Sequence, residues 1–265
     1  MASTVLSISS QVVYGNVGNS AAVPALQSRG HEVLAVPTIT LSNHPGHGKP
    51  TGFRTSAADL AAMLGSLEQL GVLQACAAVM TGYFAANDQI HGVARIIRRM
   101  RERNPSLYVL VDPIIGDDEA LYVPPAVAEG IRDQLLPLAT CVTPNRFELA
   151  WLADRSVRTV EEAVAAARSL NVGEVLATSI PASGERLATL VFDGHDYIER
   201  VSPLRQSVPH GTGDFLAGLY LAERLEHKAE EALHRTVDAL DQVIIHSAGS
   251  RVLSIAESLN DHRSR

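Results

Sequence analysis

The stretch "LYVLVDPIIGD", Leu107–Asp117, decides the reading of the fold. Leu107 to Val111 run apolar with little alternation, as strands do when both faces of a sheet are covered. The run stops at an acid, Asp112, where a charge is costly unless it is used or paired. A proline- and glycine-containing turn follows. The same kind of short apolar run recurs as "TVLSIS" (4–9), "EVLAVPT" (32–38), "ACAAVMTG" (75–82), "TCVTPN" (140–145) and "EVLATS" (174–179). Helical spacing fills the intervals 18–29, 57–70, 88–103, 127–136, 147–153 and 160–170. Strand–helix alternation of this kind means an α/β fold with a mostly parallel central sheet flanked by helices on both faces.

"LATLVFDG" and "HDYIERVS" read as a hairpin turning at Asp193-Gly194, which adds antiparallel strands at one edge. Residues 42–52 read as a loop rich in Gly, Pro and His, and two helices close the chain, over 214–225 and about 229–256. Neither an internal repeat nor a low-complexity linker is visible, so the expectation is one domain over 1–265. In such sheets ligands sit beyond the carboxyl ends of the strands. The polar segments that follow the runs, from Ser9, Ser10 and Gln11 through "SNHPGHG", "TGYF", "DPIIGD", "TPNRFE" and "TS" to "HGTGD", should then share one cleft. Each alone also reads as turn chemistry.

Composition narrows the partners. Of 265 residues 46% are apolar, and 22 basic against 29 acidic residues give a net charge of −7. A chain that seeks nucleic acid or an anionic membrane is usually basic, so a small molecule is expected. "RIIRRMRERN" places Arg95, Arg98, Arg99 and Glu102 on one side of a helix, at spacings that allow ion pairing, and reads as a solvated face. Cys76 and Cys141 lie in apolar runs and read as buried strand residues rather than a disulfide framework or zinc site. The N-terminus lacks the pattern of a signal peptide, and no 18-residue apolar run is present, so a cytoplasmic protein without a membrane span is expected.

The chemistry concentrates in "SVPHGTGDFLAGLYLA", Ser207–Ala222, where a helix with almost no polar face begins with Gly211, Thr212, Gly213 and Asp214. One reading is a turn and an Asp N-cap. The other is an anion site: free N–H groups at a helix start, glycines that let a phosphate approach, and a carboxylate base beside it. Asp112, Asp117 and Glu148 bear on the choice. Glu148 stands three residues after Asn145, a spacing that also makes a capping pair. Carboxylates near a phosphate repel it unless magnesium intervenes, and magnesium favours one or two carboxylates with phosphate oxygens. Phosphoryl transfer then makes Asp214 the base and the amides of Gly211, Thr212 and Gly213 the donors for developing charge. The P-loop pattern G-x-x-x-x-G-K-[ST] is absent.

"SSQVVYGNVGNSAAVPALQSRGHEV" closely resembles the N-terminal signature of pyridoxal kinases, within the ribokinase-like superfamily. The likeness continues in order through "SNH", "TGY", "VDPIIGD", "VTPNRFE", "TS" and "GTGD". It implies an ATP-dependent kinase for the 5′-hydroxymethyl group of pyridoxal, pyridoxine or pyridoxamine. It implies Asp214 as base and Gly211 to Gly213 as anion hole. Asp112, Asp117, Thr143 and Glu148 would line the magnesium and ATP side, with a monovalent cation such as potassium there in many members. Thr178 and Ser179 resemble the pair that contacts ATP phosphates, and Ser10, His44 and Tyr83 match positions around the pyridine ring. The resemblance also implies a homodimer, with Asn16 to Ala22 near both site and interface.

The sequence also departs from the family pattern. Pro45, Gly46 and His47 stand where Thr, then Gly or Gln, then Tyr usually follow "SNH", and the Thr ordinarily touches substrate. Leu41 replaces a common Phe, and the loop over 202–209 is shorter than in many members. Two other readings stay open: a ribokinase-like kinase for another hydroxymethyl compound such as hydroxymethylpyrimidine or a sugar, and a non-catalytic vitamin- or nucleotide-binding protein.

Overall fold

The apolar runs do pair side by side. A computed structural model describes residues 3–117 and 120–256. In chain order it has β1 (Thr4–Tyr14), α1 (Asn19–Ser28), β2 (Glu32–Asn43), β3 (Gly52–Arg54), α2 (Ala57–Gln69), β4 (Cys76–Thr81), α3 (Asn87–Arg103) and β5 (Tyr108–Val111). The short pair β6 (Gly116–Asp117) and β7 (Ala120–Leu121) follows, then α4 (Pro125–Gly130), β8 (Cys141–Val142), α5 (Arg146–Ala153) and α6 (Val160–Ser169). The chain continues through β9 (Glu174–Ala182), β10 (Arg186–Phe192), β11 (Tyr197–Pro203), α7 (Thr212–Glu226) and α8 (Ala229–His246).

Nine strands form one sheet in the order β11-β10-β9-β8-β5-β4-β1-β2-β3. Pairing is parallel from β9 across to β2, and antiparallel at β2–β3, β9–β10 and β10–β11. Because strand side chains alternate, each strand feeds two cores. Leu6, Val79, Val109, Val175 and Leu190 pack with Leu64, Ile97 and Ala166 on one face. Val5, Met80, Leu110, Leu176 and Val191 pack with Leu26, Tyr220 and Leu233 on the other. Helix α7 is buried all round from Phe215 to Glu223, as its unbroken apolar run requires.

Several boundaries differ from the sequence reading. β1 runs to Tyr14, not to Ser9, with a register shift between Ser9 and Gln11, so Ser10 and Gln11 lie inside a strand. β2 runs to Asn43 and turns back into β3, both inside or beside the expected loop. β9 likewise continues past Thr178 and Ser179, where its pairing with β10 shifts register and Ser179 takes φ 60°. The three overhangs extend past the central parallel strands, so these residues still lie beyond the carboxyl ends of β4, β5 and β8. α8 stops at His246 rather than near residue 256. Ser247 donates its hydroxyl to the Val243 carbonyl (2.6 Å), Gly249 takes φ 78°, and Leu253 and Ile255 fold back on Phe215 and Leu219. The segment 127–136 is only partly α-helical, with a wider turn over Ile131–Leu135. Arg99 pairs with Glu68 of α2 (2.9 Å) instead of Glu102. Cys76 and Cys141 are buried and not disulfide-bonded. Among the described residues no helix is long and apolar enough to cross a membrane.

Candidate active site

β1 is the strand from which the chain steps first to one side, β2, and then to the other, β4. A crevice opens at such a switch point. Ser9 and Gly82 meet there: a Cβ on Gly82 would lie 2.4 Å from Ser9 Oγ, and the Tyr83 N–H donates to that hydroxyl (3.1 Å). Thr38 Oγ1 in turn donates to the Tyr83 carbonyl (2.7 Å), which ties β2 to the same corner. Burial pushes the Tyr83 phenol up.

The glycine turn before α7 packs against this corner. Gly211 is the N-cap, with φ 101°, and a Cβ there would stand 1.7 Å from the Asn16 carbonyl oxygen, so only glycine fits. The first intrahelical bond runs from the Phe215 N–H to the Gly211 carbonyl (2.9 Å). The amides of Thr212 and Gly213 therefore have no acceptor within the helix. Asp214 is not the cap. It is the third residue of the helix, and the backbone N–H groups of Gly18 and of Asp214 itself lie close enough to its carboxylate to favour the charged form. Burial still pushes its pKa up, to about 6, against the pull of those two N–H groups. Gly18 is itself closely held: a Cβ there would lie 2.2 Å from Ser10 Oγ. Ser10, Gly18 and Asp214 thus form one contact chain.

On the other side of the crevice Asp112 leaves the end of β5, its N–H donating to the Thr81 carbonyl (2.8 Å). It is buried, and Thr143 Oγ1 donates to its Oδ1 (2.9 Å). Its Oδ2 is buried with no hydrogen-bond partner among the described residues. Burial, with the Asp214 charge as a second cause and the Thr143 bond opposing, pushes the Asp112 carboxyl up to about 8. Glu148 behaves differently. Its Oε1 accepts the Ile115 N–H (3.0 Å) and its Oε2 the Asn145 N–H (2.9 Å), while Asn145 caps α5 in return. Burial and the Asp112 charge hold its carboxyl well above the usual range, against the backbone bonds from Asn145, Ile115 and Gly116. The capping-pair geometry is therefore present, and it fixes the turn that carries Asp117. Among the described residues no three His, Cys, Asp or Glu side chains stand ready to hold one metal ion.

Tyr122 gave no signal in the sequence. Tyr122 is half exposed, yet desolvation of its phenol, with the nearby charges of Glu148, Asp112, Asp214 and Asp117, pushes its pKa up. Thr178 lies beside Asn145 in a parallel bridge, its N–H donating to the Pro144 carbonyl (3.0 Å). Thr178 and Ser179 therefore flank the start of α5, two strands over from Asp112. On the far side His44, Pro45 and His47 form a tight turn in which His44 Nδ1 accepts the Gly46 N–H (3.2 Å). A cavity of about 560 Å³ lined by Glu174, Arg224, His227 and Lys228 opens at the opposite, amino-terminal end of the strands and includes none of these residues.

Residues 51–253 match the family model described as phosphomethylpyrimidine kinase. A pyridoxine/pyridoxal/pyridoxamine kinase of Bordetella avium is 37% identical over 272 residues, covering 98% of this chain and 89% of the relative. The pyridoxal kinase PdxY of Rubrobacter xylanophilus is 37% identical over 249 residues, covering 91% and 86%. The chain belongs to the pyridoxal kinase family.

A solved pyridoxal kinase from Leishmania donovani, in complex with ADP and pyridoxamine, superposes with a TM-score of 0.92 at 28% identity over 98% of this chain and 95% of that one. Membership makes the chain a kinase with the ribokinase-like sheet that the resemblance implied. The Pro45-Gly46-His47 turn, a departure expected from the resemblance, forms a 3-10 turn capped by His44. The His47 ring packs edge-on against Tyr14 with centroids 5.1 Å apart.

Proposed function

We propose that this kinase transfers the γ-phosphoryl group of ATP to the 5′-hydroxymethyl group of pyridoxal, with pyridoxine and pyridoxamine as further acceptors. The observation that carries the reading is Asp214, in the first turn of a helix whose glycine entry cannot bear a side chain, and near Gly18, which abuts Ser10. In this reading the acceptor ring lies among Ser10, His44, Pro45 and Tyr83, with its hydroxymethyl group at Asp214. The carboxylate takes the hydroxyl proton as the oxygen attacks the γ-phosphorus. The bond to the β-phosphate oxygen breaks, and ADP leaves. A base with a pKa near 6 is well matched to that task near neutral pH. The amides of Gly211, Thr212 and Gly213 donate to the charge that develops on the moving group. Thr178, Ser179 and Thr143 line the ATP side.

Magnesium fits this chain's residues, because Asp112 has a buried carboxyl oxygen with no partner among the described residues. Asp112 and Asp117 would hold the ion and Glu148 would support it from behind, since both Glu148 oxygens already accept backbone N–H groups. When bound, magnesium neutralises charge on the ATP phosphates. The reading includes a potassium-type cation beside Asp112 and Thr143. It also takes residues 1–265 as one kinase domain, supported by a single sheet that draws strands from Thr4 to Pro203. A homodimer is supported by Val13, Tyr14 and Phe53, apolar side chains exposed at the β1–β3 end of the sheet, Val13 by 82% and Phe53 by 67%. A cytoplasmic location completes the reading.

The matched family model and the altered 45–47 turn favour one second reading, a hydroxymethylpyrimidine kinase. Initial rates with magnesium and ATP on pyridoxal, pyridoxine, pyridoxamine and hydroxymethylpyrimidine separate the two. The proposal expects the highest kcat/KM on a B6 vitamer. A clear preference for hydroxymethylpyrimidine would overturn it.

A further inference from the structure

Three imidazoles meet where the 44–48 turn touches the glycine turn. The His44 and His210 rings lie 4.4 Å apart, centroid to centroid, at an interplanar angle of 41°, and His47 lies 6.2 Å from His44. His210 immediately precedes Gly211, so it is joined to the anion-hole backbone by one peptide bond. Gly46 lies directly under the His210 ring: a Cβ there would stand 2.7 Å from His210 Nε2 and 3.0 Å from His44 Nδ1. Gly15 faces the same cluster, since its Cβ would lie 3.6 Å from His47 Nε2. Burial first, then the neighbouring His210 and His47, push the His44 imidazole down to about 4, so it stays neutral and can stack without repelling its neighbours.

We propose that His210 is a positioning residue for acceptor binding: its ring clamps the His44–Gly48 turn onto the glycine turn. The contact fixes the spacing between the acceptor-binding side chain His44 and the base Asp214. The inference rests on the reading above that His44 lies on the acceptor side. Pro45 gives that turn neither a side-chain polar group nor a backbone N–H, so the turn lacks those polar means of holding its place. Asn43 Nδ2 donates to the His44 and Gly48 carbonyls and the His44 N–H to the Tyr14 carbonyl, which tie the turn to β1 and β2, while the ring contact with His210 joins it to the glycine turn and Gly46 leaves the room for it. His210 itself is exposed, so removing its ring empties no core space and a purely structural role would leave kinetics unmoved.

The test compares wild type, His210→Ala and His210→Phe in steady-state kinetics with pyridoxal and with ATP varied in turn. An aromatic pair is worth enough to change binding by roughly 2- to 10-fold. His210→Ala should raise KM for pyridoxal by about that factor, with KM for ATP and kcat within about twofold and the melting temperature unchanged. His210→Phe keeps a ring against His44 and should return most of the lost affinity. Gly46→Ala should raise KM for pyridoxal in wild type and do so less in the His210→Ala background, because the clash is then partly relieved. An unchanged pyridoxal KM in His210→Ala, or equal rises in both KM values, overturns the clamp. Absence of wild-type turnover on any B6 vitamer would instead overturn the function on which it rests.

Discussion

At the scale of single residues, Asp112 is a stability cost kept for a purpose. Its carboxyl is raised to about 8 by burial and by Asp214. A carboxyl raised in the fold favours folding while protonated and opposes it once ionised. Relative to an uncharged residue, the cost is absent below the ordinary carboxylate pKa near 4, grows above it, and is complete above about 8. Asp112→Asn should therefore leave the melting temperature of the ligand-free protein unchanged near pH 4 and raise it at pH 8. Each kcal/mol gained corresponds to roughly 2–4 °C in a domain somewhat smaller than this one. Turnover should fall at the same time. Equal melting temperatures for the two proteins at pH 8 would show that the carboxylate is not strained. The acid was legible in the sequence because it ends an uncompromisingly apolar run. Tyr122 and His210 were not, because what makes them notable is which distant side chains they face, and no local spacing encodes that.

At the scale of elements, two joints hold the site in shape. Glu148 and Asn145 join the start of α5 to the turn after β5 by reciprocal bonds. Glu148→Gln keeps the shape but turns an amide donor toward a backbone N–H, leaving one buried group unsatisfied at a cost of about 1–3 kcal/mol. We expect a lower denaturation midpoint and a higher magnesium concentration for half-maximal rate. Retention of both wild-type values would remove Glu148 from the metal side altogether.

The second joint is α1 on α7, where Gly218 lies so close that a Cβ would stand 2.8 Å from the Ala22 carbonyl oxygen. Alanine gains about 1 kcal/mol in helix propensity. Overpacking against backbone costs about 1–3 kcal/mol, so the net change in Gly218→Ala is a loss. A chemical-denaturation midpoint at or above wild type would show that the two helices are free to separate. The existence of α1 and α7 was plain from their apolar spacing. The end of α8 was misplaced because Val252, Leu253 and Ile255 continue a helical pattern while Ser247 and Gly249 break the backbone beneath it. The overhangs of β1, β2 and β9 are not legible in the sequence because a strand bulge looks, residue by residue, like a turn.

At the scale of the molecule, the fold brings four far-separated segments to one end of the sheet. Ser10 and Gly18, His44, Asp112 with Glu148, and Gly211 to Asp214 span most of the chain, and the parallel strands deliver each to the same crevice. The parallel topology was legible from the alternation of runs and helices, and with it the rule that polar strand ends share a cleft. The central claim is that Asp214 moves the proton while the surrounding frame binds both substrates. A single-turnover experiment tests it most directly, with γ-labelled ATP, pyridoxal and magnesium, comparing wild type with Asp214→Asn at enzyme in excess. The account predicts labelled pyridoxal 5′-phosphate from wild type, transfer slower by roughly 10²–10⁴-fold in the variant, and nucleotide affinity retained within a few-fold. Transfer in Asp214→Asn within a few-fold of the wild-type rate would contradict it.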